Sequence, residues 1–206
     1  MADSAPKRRT QEERKAESER QIIRAAIRIF ARQGYLRTTL NEVGEEAGYT
    51  GGLVSHRFGS KAGLLKAVIT NSGTRFLQDQ IGESLETESA EEALKNYIAI
   101  YMEEVTLRES HLRALYVIMG EALGGDEEIQ QDVAEFNKRA RGRIASIVQR
   151  GIDSGEFKQE VDAAAAGVLI MGMLRGVIMQ YLFDRDAFDV KRIVPQIQLS
   201  ALGGLH

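Results

Sequence analysis

The chain has 206 residues, no cysteine and a formal net charge of −3, a length that suits one large domain or two small ones. The absence of cysteine excludes disulfides, thiolate metal sites and cysteine nucleophiles, and the three histidines lie too far apart in sequence to form a metal-binding motif. The charge is uneven: residues 1–66 hold 13 Lys and Arg against 8 Asp and Glu, a balance of +5, which leaves −8 for the remainder. This asymmetry predicts a nucleic-acid-binding end and a second, acidic end of different function.

The first 11 residues are predicted to form a disordered basic arm, because they include Lys7, Arg8 and Arg9 within a polar stretch. Such an arm either reaches a DNA minor groove or remains a solvated tail. The first 20 residues are polar throughout, so no secretory signal is expected and the cytoplasm is the predicted compartment.

The first helix is predicted over residues 11–33, where apolar residues recur at helical spacing and Gly34 ends the pattern. Its buried stripe consists of Ile22, Ile23, Ala26, Ile27 and Phe30. On another face, arginine recurs every fourth residue at positions 20, 24, 28 and 32. Like charges at this spacing repel, which favours phosphate contact by one or two of the four over a wholly solvated face.

Residues 38–61 carry the pattern of a helix-turn-helix. Thr38 and Thr39 are good N-cap residues for a short helix, Gly48 tolerates the positive φ that breaks it, and Thr50 can cap a second short helix. Ser60 is then placed to cap a long helix over residues 61 to about 85, which would join the two parts of the chain. The second short helix shows small and polar groups outward, as a helix that enters a major groove requires: Thr50, Gly51, Gly52, Ser55, His56 and Arg57.

This region resembles the DNA-binding domain of TetR-family (tetracycline-repressor-like) transcriptional regulators. The resemblance runs from about Glu19 to Val68 and rests on Thr39, the turn at residues 48–50, Phe58, the pair at residues 60–61, and the leucines at 64 and 65. The chain departs from the family at Gly51, where a basic or polar residue is common, and at Ser55, where an aromatic is common.

The resemblance implies a homodimer that binds a palindromic operator on double-stranded DNA and is released by a small effector. It also implies phosphate contacts by Thr38, Thr39, Ser55 and Lys61, while Thr50, Gly51, Gly52, His56 and Arg57 lie on the base-reading side. Dimerisation also has a physical reason: a single short recognition helix reads few base pairs, so two copies are needed for useful specificity.

Further helices are predicted over residues 90–107, 111–123, 126–153, 162–183 and 189–202. The fourth of these is the most apolar, and a membrane span is its alternative interpretation because about 20 apolar residues suffice. Arg175 near its centre would cost about 2.5–3.5 kcal/mol on insertion scales, which favours a buried helix. We therefore expect no membrane partner, and we expect dimerisation through this helix and the last one, in which Pro195 should introduce a kink or mark the first turn.

Aromatic and methionine side chains on the inward stripes of these helices are candidates for lining an apolar effector cavity, although an ordinary core is the alternative for each one singly. The candidates are Tyr97, Tyr101, Tyr116, Met119, Phe136, Met171 and Arg175. Arg175 is a candidate partner for an anionic end of a hydrophobic or amphipathic ligand, or for an acid on a neighbouring helix.

The predicted fold class is all-α: a basic arm at residues 1–11, a three-helix helix-turn-helix DNA-binding domain at 12–66, and a larger helical ligand-binding and dimerisation domain at 67–206. No catalytic set, metal site or cofactor motif is expected, so the predicted protein is not an enzyme. A repressor is favoured, and the alternatives are an activator with the same DNA contacts or a helical small-molecule carrier. A carrier, however, has no need for a basic N-terminal third.

Overall fold

The computed structural model describes residues 10–71 and 89–206, and within these ranges every regular element is a helix, as the predicted fold class requires. The first group of helices is α1 (Gln11–Gln33), α2 (Leu40–Glu46), α3 (Gly51–Phe58) and α4 (Lys61–Ile69). The second group is α5 (Ala90–Leu107), α6 (Glu109–Leu123), α7 (Glu127–Ser154), α8 (Ala163–Phe183) and α9 (Val190–Gly203).

Short polar side chains fix most helix starts, as the sequence predicts. Thr39 caps α2, Thr50 caps α3 and Ser60 caps α4, each by accepting a hydrogen bond from a backbone N–H in the first turn. Asp126 and Asp162 do the same for α7 and α8. Because each of these caps satisfies an N–H that the helix itself leaves free, the chain turns at defined residues.

One helix start differs from the predicted one. α6 begins at Glu109, two residues before the predicted start. α9 begins at Val190, directly after its cap Asp189 and next to the predicted start, so Pro195 lies inside the helix and does not begin it. Residues 1–9 of the basic arm predicted at 1–11, and the predicted extension of α4 from residue 72 to about 85, lie outside the described residues. The last two residues of the predicted arm are ordered, since Thr10 caps α1 and Gln11 begins it.

Two hydrophobic cores organise the helices. The first contains Ile22, Phe30, Val54 and Leu64 from α1, α3 and α4, and it also takes in Ile118 of α6. The second is built from α5, α7, α8 and α9, with a contribution from α6. The first core therefore crosses the predicted boundary after residue 66, because α6 packs directly on the N-terminal helices.

The corner after α1 is bonded to α6 through one carboxylate. The backbone N–H groups of Tyr35 and Leu36 donate to Glu121 at 2.8 and 3.3 Å. Gly34 makes this approach feasible, since its φ is 87° and a Cβ there would lie 3.0 Å from Glu121 Cδ. On the other side of the corner, Lys61 Nζ donates to Leu36 O at 3.0 Å, so α1, α4 and α6 meet at two residues.

The apolar helix α8 has one face in the second core and another on the surface. Ile170, Leu174 and Ile178 are buried, whereas Leu169 is 67% and Phe183 86% exposed. Among the described residues, α8 is the one helix long and apolar enough to cross a membrane, with a third of its most apolar window buried in the protein. Its packing on α7, α5 and α9 agrees with the predicted core helix.

The small residues of α8 have two different surroundings. A Cβ at Gly167 would lie 2.7 Å from Arg141 O, so this glycine allows α7 and α8 to approach closely. Gly172 and Gly176 have nothing within 4 Å of such a Cβ. Within one protomer, these two positions are free to accept a side chain.

The start of α5 is held by Glu156, which lies just after α7. Its carboxylate accepts hydrogen bonds from the N–H groups of Ala90 (3.0 Å) and Glu91 (3.1 Å) and from the Ser89 hydroxyl (2.8 Å). These bonds favour the ionised form and lower the pKa of Glu156 from 4.5 to about 2.

We expect Glu156→Gln to reduce the free energy of unfolding at pH 7 by about 1 kcal/mol, since bonds to a charged acceptor are the stronger ones. Because the folded pKa is depressed, this stabilisation is present above pH 4.5 and is lost as the pH falls towards 2. Urea unfolding at several pH values measures the difference between variant and wild type. Glu160→Gln, at an exposed position, is the control, and a pH-independent difference would contradict the assignment.

Candidate nucleic-acid interface and ligand site

The two short helices α2 and α3 are locked together by glycines. A Cβ at Gly44 would lie 2.6 Å from the Thr50 carbonyl carbon, and a Cβ at Gly51 would lie 2.9 Å from Asn41 Cα. Gly48, in the turn between the helices, has a φ of 75°, as predicted. The close approach fixes the angle at which α3 leaves the turn, so the backbone of the helix-turn-helix is rigidly specified.

The outer face of α3 is open to solvent at most of the predicted base-reading positions. Thr50, Gly52, Ser55 and His56 are exposed. Gly51 is half-buried and has a packing role against α2, in addition to any part in the DNA contact. A contiguous set of small and polar groups therefore faces outward from a short, capped helix.

Arg57 is only half-buried on α3, and its Nε atom is enclosed without a hydrogen-bond partner in the described part of the chain. Five N–H donors and a permanent charge make an arginine in this state a strong ligand for a guanine edge or a phosphate. Its role as a base-reading residue stays a prediction.

Thr38 is placed differently from the prediction. Its side chain is 3% exposed, and its Oγ1 donates to Gly34 O at 2.6 Å. The hydroxyl is thus used inside the protein, at the end of α1. The Thr38 side chain is therefore not available to contact a phosphate.

Thr39 is exposed at the N-terminus of α2, but its groups are already bonded. Its N–H and its hydroxyl both donate to Glu42 Oε2, at 2.7 and 2.8 Å, and its Oγ1 accepts from Glu42 N at 3.2 Å. These bonds lower the pKa of the Glu42 carboxyl below its usual value. A phosphate at this helix end would have to lie beside an ionised carboxylate, which opposes the attraction of the helix N-terminus.

Lys61 keeps part of its binding capacity. Its ammonium group donates to Leu36 O and lies 4.4 Å from the centre of the Tyr35 ring. Desolvation lowers its pKa, yet two of its three N–H donors remain for a phosphate. Carboxylates surround this ammonium group, since Glu121, Asp126 and Glu42 all act on it. Burial, and then carboxylates of which Glu128 is the first, raise the pKa of the neighbouring Tyr35 to about 12.

The four arginines spaced four residues apart on α1, at positions 20, 24, 28 and 32, differ in whether they form ion pairs. Arg20 pairs with Glu17 at 2.6 Å, and Arg28 pairs with Glu46 at 2.9 Å, which ties α1 to α2. Arg24 and Arg32 are exposed and form no ion pair with the residues that the structure describes. Phosphate contact by one or two of the four arginines stays a prediction, and these two are the candidates.

The structure brings five of the seven predicted ligand-site residues into contact in two groups. The rings of Tyr97 and Tyr101 stack at a centroid distance of 6.0 Å. Tyr116 Oη donates to the backbone carbonyl of Arg175 at 3.0 Å, and the Arg175 guanidinium lies 5.6 Å from the centre of the Phe136 ring. The two groups lie near each other, because Arg175 lowers the pKa of Tyr97 and Tyr101 raises the pKa of Tyr116.

Burial dominates the electrostatics of these phenols. Desolvation raises the pKa of Tyr97 and of Tyr116 far above the usual value of a phenol, and the neighbouring Tyr101 raises both further. Both side chains are therefore neutral hydrogen-bond donors across the physiological range. Met171 is buried in the same core as Tyr97, whereas Met119 packs against the first core, to which Phe136 also belongs.

Sequence reasoning missed Gly44 and Glu121. A glycine inside a short helix pattern was a usable signal for close packing at Gly44. Glu121 carries no local signal, because its partners are 85 and 86 positions away in the chain.

The fold and the site define a helix-turn-helix DNA-binding protein with a helical ligand domain. The family model described as bacterial regulatory proteins, tetR family, matches residues 22–68, and the model described as tetracyclin repressor-like, C-terminal domain, matches residues 115–197. The chain belongs to the TetR family of transcriptional regulators, which confirms the resemblance inferred from residues 19–68.

Relatives match over almost the whole chain. A fatty acid metabolism regulator protein of Bacillus subtilis is 23% identical over 90% of this chain and 94% of its own length. The regulator TtgR of Pseudomonas putida is 27% identical over 89% of this chain and 88% of its own length. A crystal structure of the regulator FadR from Bacillus subtilis in complex with stearoyl-CoA shares the fold, with a TM-score of 0.79 at 21% identity over 91% of this chain and 99% of that one.

We expect Gly44→Ala to destabilise the protein by about 1–3 kcal/mol, because the added methyl group collides with the backbone at Thr50. Gly52→Ala is the matched control: only the Thr50 hydroxyl lies within 4 Å of its Cβ, at 3.8 Å, and alanine in a helix is favoured by up to about 1 kcal/mol. Urea unfolding monitored by circular dichroism gives both values. Equal stability of the two variants would show that α2 and α3 are not held by this contact.

Proposed function

We propose that this regulator is a cytoplasmic repressor that binds a palindromic operator as a homodimer and is released by a small hydrophobic effector. The observation that carries the proposal is the exposed face of α3, where Thr50, Gly52, Ser55 and His56 point outward from a helix fixed by the turn and by α2. The basic balance of residues 1–66 adds the electrostatic attraction that operator binding needs. An activator with the same contacts is the second candidate.

The dimer is proposed from the surface of α8 and α9. Val168, Leu169, Met179 and Phe183 of α8 and Leu199 of α9 are large apolar residues that remain about half or more exposed in one protomer. Exposed apolar patches of this kind mark interaction surfaces, and a two-fold axis lets one surface cover its own copy. Two helices from each protomer would then form a four-helix contact.

Effector release is proposed from the clustered residues around Arg175 and from the stearoyl-CoA complex of the structural neighbour. A ligand acts only through its different affinities for the DNA-competent and incompetent arrangements, and about 1.4 kcal/mol of difference is needed for a tenfold loss of operator affinity. α4 begins at the Lys61 contact and packs on α7. A shift of α4 would change the separation of the two α3 helices against half-sites spaced by roughly 34–36 Å or a multiple.

Selection of bound duplexes from a random library is expected to return an inverted repeat. With about three phosphate contacts per protomer, log K against log salt should have a slope near −5 for the dimer. Arg57→Ala should relax preference at particular base positions, whereas Lys61→Ala should weaken all sequences alike and make the slope about one to two units shallower.

Lys138→Ala is the control for the loss of one positive charge, because this residue is exposed on α7, outside the helix-turn-helix. It should leave both the selected sequence and the slope unchanged. A salt-independent affinity with no enriched sequence would refute operator binding.

We expect Gly172→Leu and Gly176→Leu to weaken the dimer at least about tenfold each, since overpacking costs about 1–3 kcal/mol and a two-fold contact is affected on both sides. Within one protomer the added side chains meet open space, so the thermal stability of the monomer should not fall. Sedimentation equilibrium at micromolar concentration measures the proportions of monomer and dimer. Gly142→Leu, another helical glycine with open surroundings on α7, is the control, and a wild-type monomer would exclude this interface.

A further inference from the structure

Two hydrogen-bond donors in the ligand-site cluster (Tyr97, Tyr101, Tyr116, Phe136, Met171 and Arg175) have no acceptor in the part of the chain that the structure describes. Tyr97 is fully buried, and its Oη makes no hydrogen bond within the described residues. The same holds for Nη2 of Arg175, an atom that is also enclosed. Buried polar groups are almost always bonded, so two unpartnered donors in one cluster require an explanation.

The charge around these donors is positive. Arg175 forms no ion pair with a carboxylate in the part of the chain that the structure describes, and the predicted alternative, an acid on a neighbouring helix, is therefore not found there. Its guanidinium lies against the Phe136 ring, and a second arginine, Arg143, also acts on the Tyr97 hydroxyl. An isolated charge that is partly removed from water is costly until an opposite charge joins it.

The apolar neighbours set the rest of the environment. Tyr101, Phe136 and Met171 are each less than 10% exposed and offer aromatic and thioether surface, which adapts to an apolar chain of varied shape. The cluster thus combines two donors that have no acceptor among the described residues with apolar surroundings.

We propose that the effector is an amphipathic anion whose acidic head group is bound by Arg175 and the Tyr97 hydroxyl while its apolar tail lies among the aromatic side chains. The inference rests on the proposed ligand-responsive function and specifies the chemical class of the ligand. A carboxylate or a phosphate monoester supplies acceptor oxygens for both donors and neutralises the guanidinium. A neutral ligand of the same length leaves the charge of Arg175 uncompensated.

The test uses the full-length protein and three ten-carbon probes: decanoate, decyl phosphate and decan-1-ol. Isothermal titration should show that wild type binds at least one of the two anions about tenfold or more tightly than the alcohol, since a bond to a charged group is worth more than about 1.4 kcal/mol. Whether decanoate or decyl phosphate has the larger ratio identifies the carboxylate or the phosphate as the head group.

Three variants assign that preference to the two donors. Arg175→Met should reduce the anion-to-alcohol ratio to about one, and Tyr97→Phe should reduce it by about threefold to tenfold, as one neutral hydrogen bond would. Arg139→Met, the same substitution at an exposed position of α7, should keep the wild-type ratio. Equal binding of anions and alcohol by wild type, or the same ratio in Arg175→Met and Arg139→Met, would overturn the proposal.

Operator binding by ligand-free Arg175→Met shows whether this variant is folded. If it is not, Tyr97→Phe decides alone, because it removes a single buried oxygen, and an unchanged ratio in that variant is then the contrary result.

Operator titration in the presence of each probe separates this inference from the proposed function. If decan-1-ol releases the operator and the anions do not, effector release holds and the anionic site is wrong. If the anions bind with Arg175 dependence and leave operator affinity unchanged, the anionic site holds and effector release is wrong.

Discussion

The bond between the Glu121 carboxylate and the backbone N–H groups of Tyr35 and Leu36 is the contact on which the orientation of the helix-turn-helix depends. The corner at these residues follows α1, and its other side is held by Lys61 at the start of α4. The Glu121 carboxylate of α6 and the Lys61 ammonium group of α4 therefore both form hydrogen bonds to this short loop. Because all three bonds involve a charged group, they are stronger than ordinary backbone bonds, and they couple the loop to α4 and α6.

α6 also belongs to the ligand-site cluster. Tyr116, which donates to the Arg175 carbonyl, precedes Glu121 by five positions, or about 7.5 Å along a helix axis. A displacement of α8 at Arg175 would therefore reach the loop at Tyr35 through a single rigid element. No long chain of contacts is required, since the same helix touches both places, and the short distance makes a coupling of 1–3 kcal/mol physically reasonable.

Local chemistry in the sequence was sufficient for the helices and their starts. Thr39, Thr50 and Ser60 cap the helices that they were predicted to cap, and Gly48 adopts the positive φ that its position in the turn required. These features depend on residues within four positions of each other, which is the range that periodicity and capping rules cover. The all-α fold and its family followed from the same local signals.

The parts that could not be predicted depend on distant contacts. Thr38 was a good cap candidate, but its hydroxyl is buried at the end of α1, and nothing near it in sequence distinguishes it from Thr39. Met119 follows Tyr116 by three positions on α6, yet Met119 packs against the first core and Tyr116 against the second. The reason is that α6 lies between the two cores and presents a different side to each.

The unpartnered donors at Tyr97 and Arg175 connect stability with function. Leaving a buried donor unbonded costs about 1–3 kcal/mol, which is a large share of the 5–15 kcal/mol that stabilises a typical domain. A core that contained phenylalanine and methionine at these two positions would avoid that cost. Retaining the donors has a physical rationale if an acceptor arrives from outside, because the ligand then regains the lost bonding energy only in the arrangement that brings both donors together. The bonding energy recovered on ligand binding is about 1–3 kcal/mol per donor, and a tenfold change in operator affinity requires about 1.4 kcal/mol of difference between the two states.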